Sequence, residues 1–457
     1  MDKKFKKALF IFRRDLRLED NTGLIFALEN AEKVIPCFIF TPQQIENNSY
    51  YSAHCLQFMI ESLEDLDQQL QEKGTRLSLF FGENEKIIEK CIKELSIDAV
   101  VVNRDYTPYS FQRDEEILSL CEKFNLPFHS FDDALLHPPF DTLKKDGTPY
   151  TVFTPFYRHA SKLSVSECIK NPYTNYFTTP VPFAQDNTLY SKILPHRNHQ
   201  AKGGRKAAFK ILKNIEHFAH YKEERDFPQH NATTHLSAHL KFTTYSIREI
   251  YHMLENQFGA SCDLIRSLYW RDFFTCIALY FPKVFEGAFR EKFNHLPWNN
   301  DKEMFKKWCE GKTGFPIIDA GMREMNVTGF MQNRVRMIAA SFLVKDLHID
   351  WRWGEKYFAQ TLIDYDPAVN NGNWQWAAST GCDAQPYFRI FNPWSQQVKF
   401  DAQCHYIKHW IPELSSLSPS IIHQWHLKTA PTSLYPRPII DHSIESKIAL
   451  ENYKTCR

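Results

Sequence analysis

The 457-residue chain has no run of eighteen apolar residues, so no segment reads as a membrane-spanning helix. Its basic start, MDKKFKKALFIFRRDLRLEDN, loses its apolar run at Arg13, Arg14 and Asp15. That pattern reads as a first strand, not a secretory leader. The eleven cysteines contain no CxxC pair and no regular ligand spacing. A disulfide scaffold and a zinc ribbon are thereby disfavoured, and thiols in a reducing cytoplasm are expected. No GxGxxG or P-loop motif follows the first strand, where FRRDLRLEDN stands, so a standard dinucleotide or nucleoside-triphosphate site is not expected there. HExxH and GxSxG are also missing. His235 and His239 stand four apart without a suitable third ligand, so no metal is expected. Charge is nearly balanced at +1. It is unevenly divided: residues 201–457 hold 32 Lys+Arg against 26 Asp+Glu, and residues 1–200 hold 23 against 28. The surplus in the second half suits a polyanionic partner, although six charges in so long a stretch carry little weight alone.

What is present is apolar and aromatic, 43% and 15% of residues, enough for two or three cores in a chain of this length. Over the first 130 residues, ALFIF (8–12), VIPCFIF (34–40), RLSLFFG (76–82) and DAVVVN (98–103) read as strands separated by helical stretches. Strands spaced by helices predict a parallel α/β sheet, with any ligand at the strand C-termini. From 131 to 200 the pattern gives way to Pro, Tyr, Phe and Gly, which predicts an ordered connector with one short helix near YRHASKLSVSECI. From 201 to 457 helical periodicity dominates, predicting a large all-helical domain. Within it, 204–226 and 396–411 each read as one helix.

The densest chemistry lies in Asp364–Asn392, DYDPAVNNGNWQWAASTGCDAQPYFRIFN. Buried carboxylates and amides cost free energy unless hydrogen-bonded, so their density beside Trp374 and Trp376 points to a ligand with polar edges and a flat face. A capped loop with a core tryptophan is the plainer alternative. Arg334 and Arg336 in MQNRVRM stand two apart and point to different sides of a helix. One could meet a nucleic-acid phosphate while the other faces an internal acid, Asp364 or Asp366. Thr233, Thr234 and Ser237 in NATTHLSAHL could form a phosphate-binding cap or an ordinary N-cap. All ten tryptophans lie between Trp270 and Trp425. A pair of such rings can sandwich an extruded base, though singly each fits a core equally well.

The stretches FRRDLRLEDNTGL, LSAHLKFT, LYWRDFF, GFPIIDAGMREMNVTGFMQNRVRMIAASFLVKDLHIDWRWGEKYF and DYDPAVNNGNWQWAASTGCDAQPYFRIFNPW resemble the photolyase/cryptochrome family, specifically its class I cyclobutane pyrimidine dimer photolyases. The resemblance runs from residue 8 to about 450. It implies an α/β antenna-type domain over 1–130, a connector over 131–200 and a helical FAD-binding domain over 201–457. It further implies that Tyr221, Thr233, Thr234 and Ser237 surround FAD phosphates and ribityl chain. Arg271, Asn333, Arg336, Asp364, Asp366 and Asn370 would line the flavin, with Arg336 paired to Asp364 and Asn370 at N5. Trp270 and Trp376 would clamp a flipped dimer, Asn333, Arg334 and Met337 would border it, and Arg225 would meet the DNA backbone. Trp374, Trp351 and Trp298 would carry electrons from the surface to the flavin. The implied activity is light-driven splitting of pyrimidine dimers in damaged DNA by a cytoplasmic monomer, a carbon–carbon lyase.

Two positions depart from the family pattern. Ser267 stands where class I members usually carry a dimer-contacting glutamate, and Asn373 replaces a glycine in NNGGWQW. At the folate-binding glutamate of relatives the chain has Tyr109 and Ser110, leaving a folate, a deazaflavin or no antenna chromophore open. A (6-4) photolyase would need a histidine acid where Asn333 and Met337 stand. A cryptochrome-type signalling protein is the other rival; it would predict a regulatory tail and a different residue in place of Asn370.

Overall fold

The computed structural model describes residues 3–46, 48–194, 202–427, 433 and 435–456; residues 195–200 of the expected connector lie outside them. The chain forms two compact units, one of residues 1–215 with 235–280, the other of 216–234 with 281–457.

The first unit is built on five parallel strands, β1 (Phe5–Phe12), β2 (Ala31–Phe40), β3 (Ser78–Phe81), β4 (Ala99–Asn103) and β5 (Phe128–Phe131), in the order β3-β2-β1-β4-β5. β1 pairs with β2 through Ala8↔Val34 and with β4 through Ala8↔Ala99. Leu9, Ile11, Ile35, Cys37, Val100 and Val102 are alternate residues on these central strands and join one core cluster. Period-2 spacing places them on one face of the sheet. Helices α1 (Thr22–Asn30), α2 (Ala53–Glu72), α3 (Asn84–Leu95) and α4 (Pro108–Lys123) connect the strands. β5 was not expected from the sequence. It has four residues, all half-buried, and therefore no apolar run to mark it.

The turn after β1 is fixed by buried polar groups. Asn103 Nδ2 donates to Asp15 Oδ2 at 2.6 Å and to Asn21 Oδ1 at 2.7 Å, while its Oδ1 accepts from the Gly23 amide at 2.9 Å. A Cβ on Gly23 would lie 2.7 Å from that oxygen, so the contact requires glycine. This unit also holds α5 (Ile247–Phe258) and α6 (Asp263–Tyr280).

The second unit is helical throughout its longer elements: α7 (Lys302–Cys309), α8 (Pro316–Thr328), α9 (Asn333–Lys345), α10 (Trp351–Thr361), α11 (Pro367–Ala377), α12 (Pro393–Phe400), α13 (His405–Trp410) and α14 (His442–Thr455). Its core gathers Trp308, Phe315, Met322, Phe342, Phe358 and Trp374. Gly329 closes α8 in the left-handed conformation, and Gln332 caps α9 by accepting from the Val335 amide at 3.2 Å. Asp366 caps α11, accepting from the Ala368 and Val369 amides at 3.1 and 3.2 Å.

Two stretches expected as single helices are broken. Residues 205–224 divide into Arg205–Leu212, a 3-10 turn at Ile215–Phe218 and Tyr221–Glu224, with Asn214 Nδ2 folded back on the Lys210 carbonyl at 2.9 Å. The 396–411 stretch breaks after α12 because Asp401 accepts from the Tyr406 and Ile407 amides, at 3.3 and 2.9 Å, and so starts α13. Cys404 takes φ 55° in that turn.

Candidate functional site

In the second unit, the turn between α8 and α9 and the start of α11 bring together most of the polar residues singled out above. Arg336 lies in the first turn of α9. Its Nη1 and Nη2 donate to Asp364 Oδ1 and Oδ2 at 3.2 and 3.0 Å, and its Nε donates to the Met331 carbonyl at 2.7 Å. The fork holds the guanidinium plane fixed. Arg334, two residues earlier, pairs with Asp226 and lies 4.6 Å over the Phe400 ring. Both arginines therefore have acid partners, so the outward one is not left unpaired. Gln332 also donates to the Arg225 carbonyl, tying the 221–230 segment to the start of α9. Arg225 in turn lies 5.5 Å over Tyr221. Asn333 is exposed and its Nδ2 meets Met337 Sδ at 3.7 Å.

The two adjacent asparagines on α11 have separate partners. Asn370 Nδ2 donates to the Glu355 carbonyl at 3.0 Å and to Glu355 Oε1 at 2.9 Å. With both donors spent on Glu355, the amide offers Oδ1 as its acceptor. Asn371 Nδ2 donates to the Val284 carbonyl at 2.9 Å. Gln375 Nε2 donates to Val284 O, Gly287 O and Asn371 Oδ1 at 3.1, 3.2 and 3.0 Å, and Gln375 Oε1 accepts from the Phe289 amide at 2.8 Å. Asn371 and Gln375 thus anchor the 284–289 loop. Asn373 is exposed and bonded to its own helix through Val369 O at 2.8 Å. Asp366 serves as the cap of α11.

The tryptophans differ in depth. Trp374 is 2% exposed and Trp351 3%, whereas Trp298 is half-buried. Trp374 meets Phe358 edge-on with ring centroids 4.9 Å apart and Trp308 at 6.2 Å. Its ring occupies the space where Gly354 has no side chain: a Cβ there would fall 2.2 Å from Trp374 Cη2. Trp376 is half-buried against the same core.

Several residues singled out in the sequence belong to the first unit. Trp270 on α6 stacks on Phe153 with ring centroids 3.6 Å apart and planes 8° from parallel, so one face of its indole is covered. Arg266 stands over Phe153 and Tyr157 at 5.5 and 5.3 Å. Arg271 donates to the Ala134 and Leu240 carbonyls. Ser237 is exposed at the start of a five-residue helix without a side-chain cap, while Thr233 and Thr234, in the second unit, are half-buried. Ser267 turns its hydroxyl back onto the Asp263 carbonyl at 3.0 Å. His239 is buried against Thr244 at 2.9 Å, and burial lowers its pKa to about 4.

Where the strands of the first unit end, a cavity of about 140 Å³ is lined by Phe12, Arg13, Arg14, Phe38, Asp105, Arg113, Lys241 and Phe242 among others. It presents cationic groups beside aromatic rings. Tyr109, one of the two residues at the folate position, is exposed, and the Ser110 hydroxyl is bonded to Thr107 Oγ1 at 2.7 Å.

Sequence reasoning missed Glu355, Gln375, Trp308 and Glu324. Glu324, on α8, accepts from the Tyr406 hydroxyl at 2.6 Å and from the Gln332 amide, and burial pushes its pKa up to about 7. Its only sequence signal was an acid among the apolar residues of α8.

The DNA photolyase family model matches residues 8–173, and the model for the FAD binding domain of DNA photolyase matches residues 264–455. A Vibrio cholerae deoxyribodipyrimidine photo-lyase is 38% identical over 98% of this chain and 99% of its own. An archaeal photolyase from Sulfolobus tokodaii, solved with two FAD molecules, superposes with a TM-score of 0.90 at 43% identity, covering 98% of this chain and 100% of that one. A Synechocystis sp. PCC6803 cryptochrome superposes with a TM-score of 0.89 at 28% identity over 99% and 100% of the two chains.

Proposed function

The chain belongs to the DNA photolyase family, and from that premise we infer how its own residues serve the reaction. It is a deoxyribodipyrimidine photo-lyase that uses FAD and light to split cyclobutane pyrimidine dimers in damaged DNA. The groups of the second unit suit a flavin: a guanidinium forked on one acid, an amide oxygen held open as an acceptor, and a buried indole on the same helix. Reduced FAD held by these residues would supply photochemical one-electron transfer to the dimer.

The chain's part is to bind, orient and tune. Arg336, Asp364 and Asn370 hold the flavin, with Tyr221, Thr233, Thr234, Ser237, Arg271, Asn333 and Asp366 completing its surroundings. Glu355 takes both N–H groups of the Asn370 amide and leaves its oxygen as the acceptor, an arrangement that would suit flavin N5 and supports the flavin assignment. Trp374, Trp351 and Trp298 bring an electron inward, along the decline in exposure from Trp298 to the two buried rings. The family resemblance assigns Trp270 and Trp376 each a contact with the extruded dimer, Asn333, Arg334 and Met337 its border, and Arg225 a phosphate. Ionic contacts to phosphate supply affinity without sequence preference. Because Ser267 is bonded to its own helix, this chain holds the dimer bases without the direct carboxylate contact described for relatives.

The division at about 130 and 200 is kept as the functional one: sheet, connector, flavin-binding part. The cavity at the strand ends would take an antenna chromophore carrying an anionic group and a flat ring system, a description that a folate, a flavin and a deazaflavin all meet. The second FAD of the Sulfolobus protein is one such molecule. A monomer in the cytoplasm completes the reading; none of the eleven cysteines is joined in a disulfide, which suits a reducing compartment. No described helix is long and apolar enough to cross a membrane.

The test is to illuminate reduced, FAD-loaded protein with cyclobutane-dimer and (6-4) DNA separately and to analyse the products. Cyclobutane dimers are expected to revert to pyrimidines while (6-4) lesions persist. Intact cyclobutane dimers at full flavin occupancy would overturn the assignment in favour of a cryptochrome-type role.

A further inference from the structure

Arg266 is exposed in the first turn of α6, four residues before Trp270. Residues four apart share a helix face, with Cβ atoms about 6 Å apart. The Arg266 guanidinium stands over two rings of the helix Phe153–Ala160, 5.5 Å from the Phe153 centroid and 5.3 Å from that of Tyr157. Those two rings lie 17° from parallel, and Phe153 also stacks on the Trp270 indole at 3.6 Å. Guanidinium, phenyl, phenol and indole thus form one packed group within the first unit. A guanidinium seated on rings keeps its edge N–H groups for a second partner, and it has little rotamer freedom left to lose on binding one.

Other arginines of this unit spend those groups on acids: Arg17 on Asp133 at 2.7 Å, Arg205 on Glu249 at 2.7 Å and Arg248 on Asp20 at 2.9 Å. Arg266 has no acid partner among the described residues. The next side chain, Ser267, is turned back onto the Asp263 carbonyl at 3.0 Å. Of these two adjacent residues, the one with a group to offer a ligand is therefore the cation.

We propose that Arg266 is a DNA contact that binds the backbone phosphate beside the extruded dimer and so holds the strand against Trp270. This rests on the contact of Trp270 with the dimer assigned above. The partner has to be an anion within reach of a group one helical turn from a base-stacking ring, and on a nucleic-acid strand that anion is the phosphate. The planar fork of a guanidinium matches two phosphate oxygens. A phosphate carries no sequence, so the contact adds register and affinity without reading the bases.

The measurement is binding in the dark to a duplex carrying one cyclobutane dimer and to the same duplex intact, from about 50 to about 200 mM salt. Each neutralised phosphate contributes about 0.9 to the slope of log affinity against log salt on duplex DNA. Arg266→Gln should therefore lose close to one unit of slope, which is about threefold of the salt sensitivity over that interval. Its affinity for the dimer duplex at the lower salt should fall about tenfold. Arg266→Lys keeps the charge without the planar fork, and should keep the slope while losing part of the affinity. A methylphosphonate, which removes the charge of one phosphate, is then placed at each position flanking the dimer in turn. At one such position it should weaken the wild-type protein and leave Arg266→Gln indifferent. An unchanged slope in Arg266→Gln, or an equal response of the two proteins at every flanking phosphate, overturns the proposal. A wild-type protein that binds the dimer duplex no better than the intact one would instead overturn the dimer reading of Trp270, and this inference with it.

Discussion

Asn370 gives its amide nitrogen to Glu355, whereas Asn371, one residue on, gives its own to the Val284 carbonyl. Neighbours on a helix point about 100° apart, so a run of polar residues can serve a ligand on one side and a loop on the other. Trp374, three residues further, is one of the two buried members of the proposed electron chain. Trp374→Phe is expected to abolish photoreduction of oxidised flavin, followed by absorbance under illumination with a thiol present. Repair by chemically reduced protein should stay within about twofold of wild type, since a phenyl ring conserves most of the apolar contact. Equal loss of both activities would remove Trp374 from the chain. At this scale the sequence was partly legible. The acids, amides and rings near residue 370 were visible as a cluster because polar groups in that density are rare. Their division between ligand and scaffold was not, because Glu355, Val284 and Gly287 are distant in sequence.

At the scale of elements, the contact between α10 and α11 is set by a missing side chain. Gly354 lets the Trp374 ring lie where a Cβ would be only 2.2 Å from Cη2 and 2.6 Å from Cζ3. Gly354→Ala should therefore destabilise the protein by about 1–3 kcal/mol despite the better helix propensity of alanine, because overpacking outweighs the roughly 1 kcal/mol gained from propensity. Denaturant unfolding followed by tryptophan fluorescence measures it; an unchanged or raised midpoint would contradict the tight contact. Helix existence was legible here from period-3.6 spacing, as were the first four strands from their apolar runs. Helix breaks at Asn214 and Asp401 were not, since each depends on a side chain closing onto a particular backbone group.

For the whole molecule, three buried groups with pKa values near 7 make stability depend on pH. Burial pushes the Asp272 and Glu324 carboxyls up to about 7 and brings the Lys345 ammonium down to about 7. For the two acids the folded chain binds more protons than the unfolded chain between the ordinary carboxylate range and 7. Their contribution is complete below that range and is lost as pH rises through 7. For Lys345 the unfolded chain holds more protons between 7 and the ordinary lysine value, so stability rises with pH across that interval. The Lys345 ammonium donates to Ser379 Oγ at 3.0 Å and to the Arg389 carbonyl at 3.2 Å, which limits but does not cancel the cost of burial. Lys345→Met should flatten the rise above pH 7. The expected difference is on the order of 2 kcal/mol between pH 7 and 9.5, read from urea midpoints at the two values. Parallel pH profiles for variant and wild type would exclude Lys345 as their source. The split into a parallel sheet followed by helices was legible from alternating and helical periods. No period in the sequence marked these three groups, because their ionisation depends on what buries them.

The fit of Trp374 into the space beside Gly354 has a consequence for descent. The two positions are not free to vary one at a time. A side chain at 354 meets the Trp374 ring and Leu343 Cδ2, at 2.2 and 2.5 Å, so its cost falls when the ring at 374 shrinks, and an indole at 374 costs least while 354 remains bare. Each substitution thus changes the cost of the other, an epistasis lodged in this steric contact.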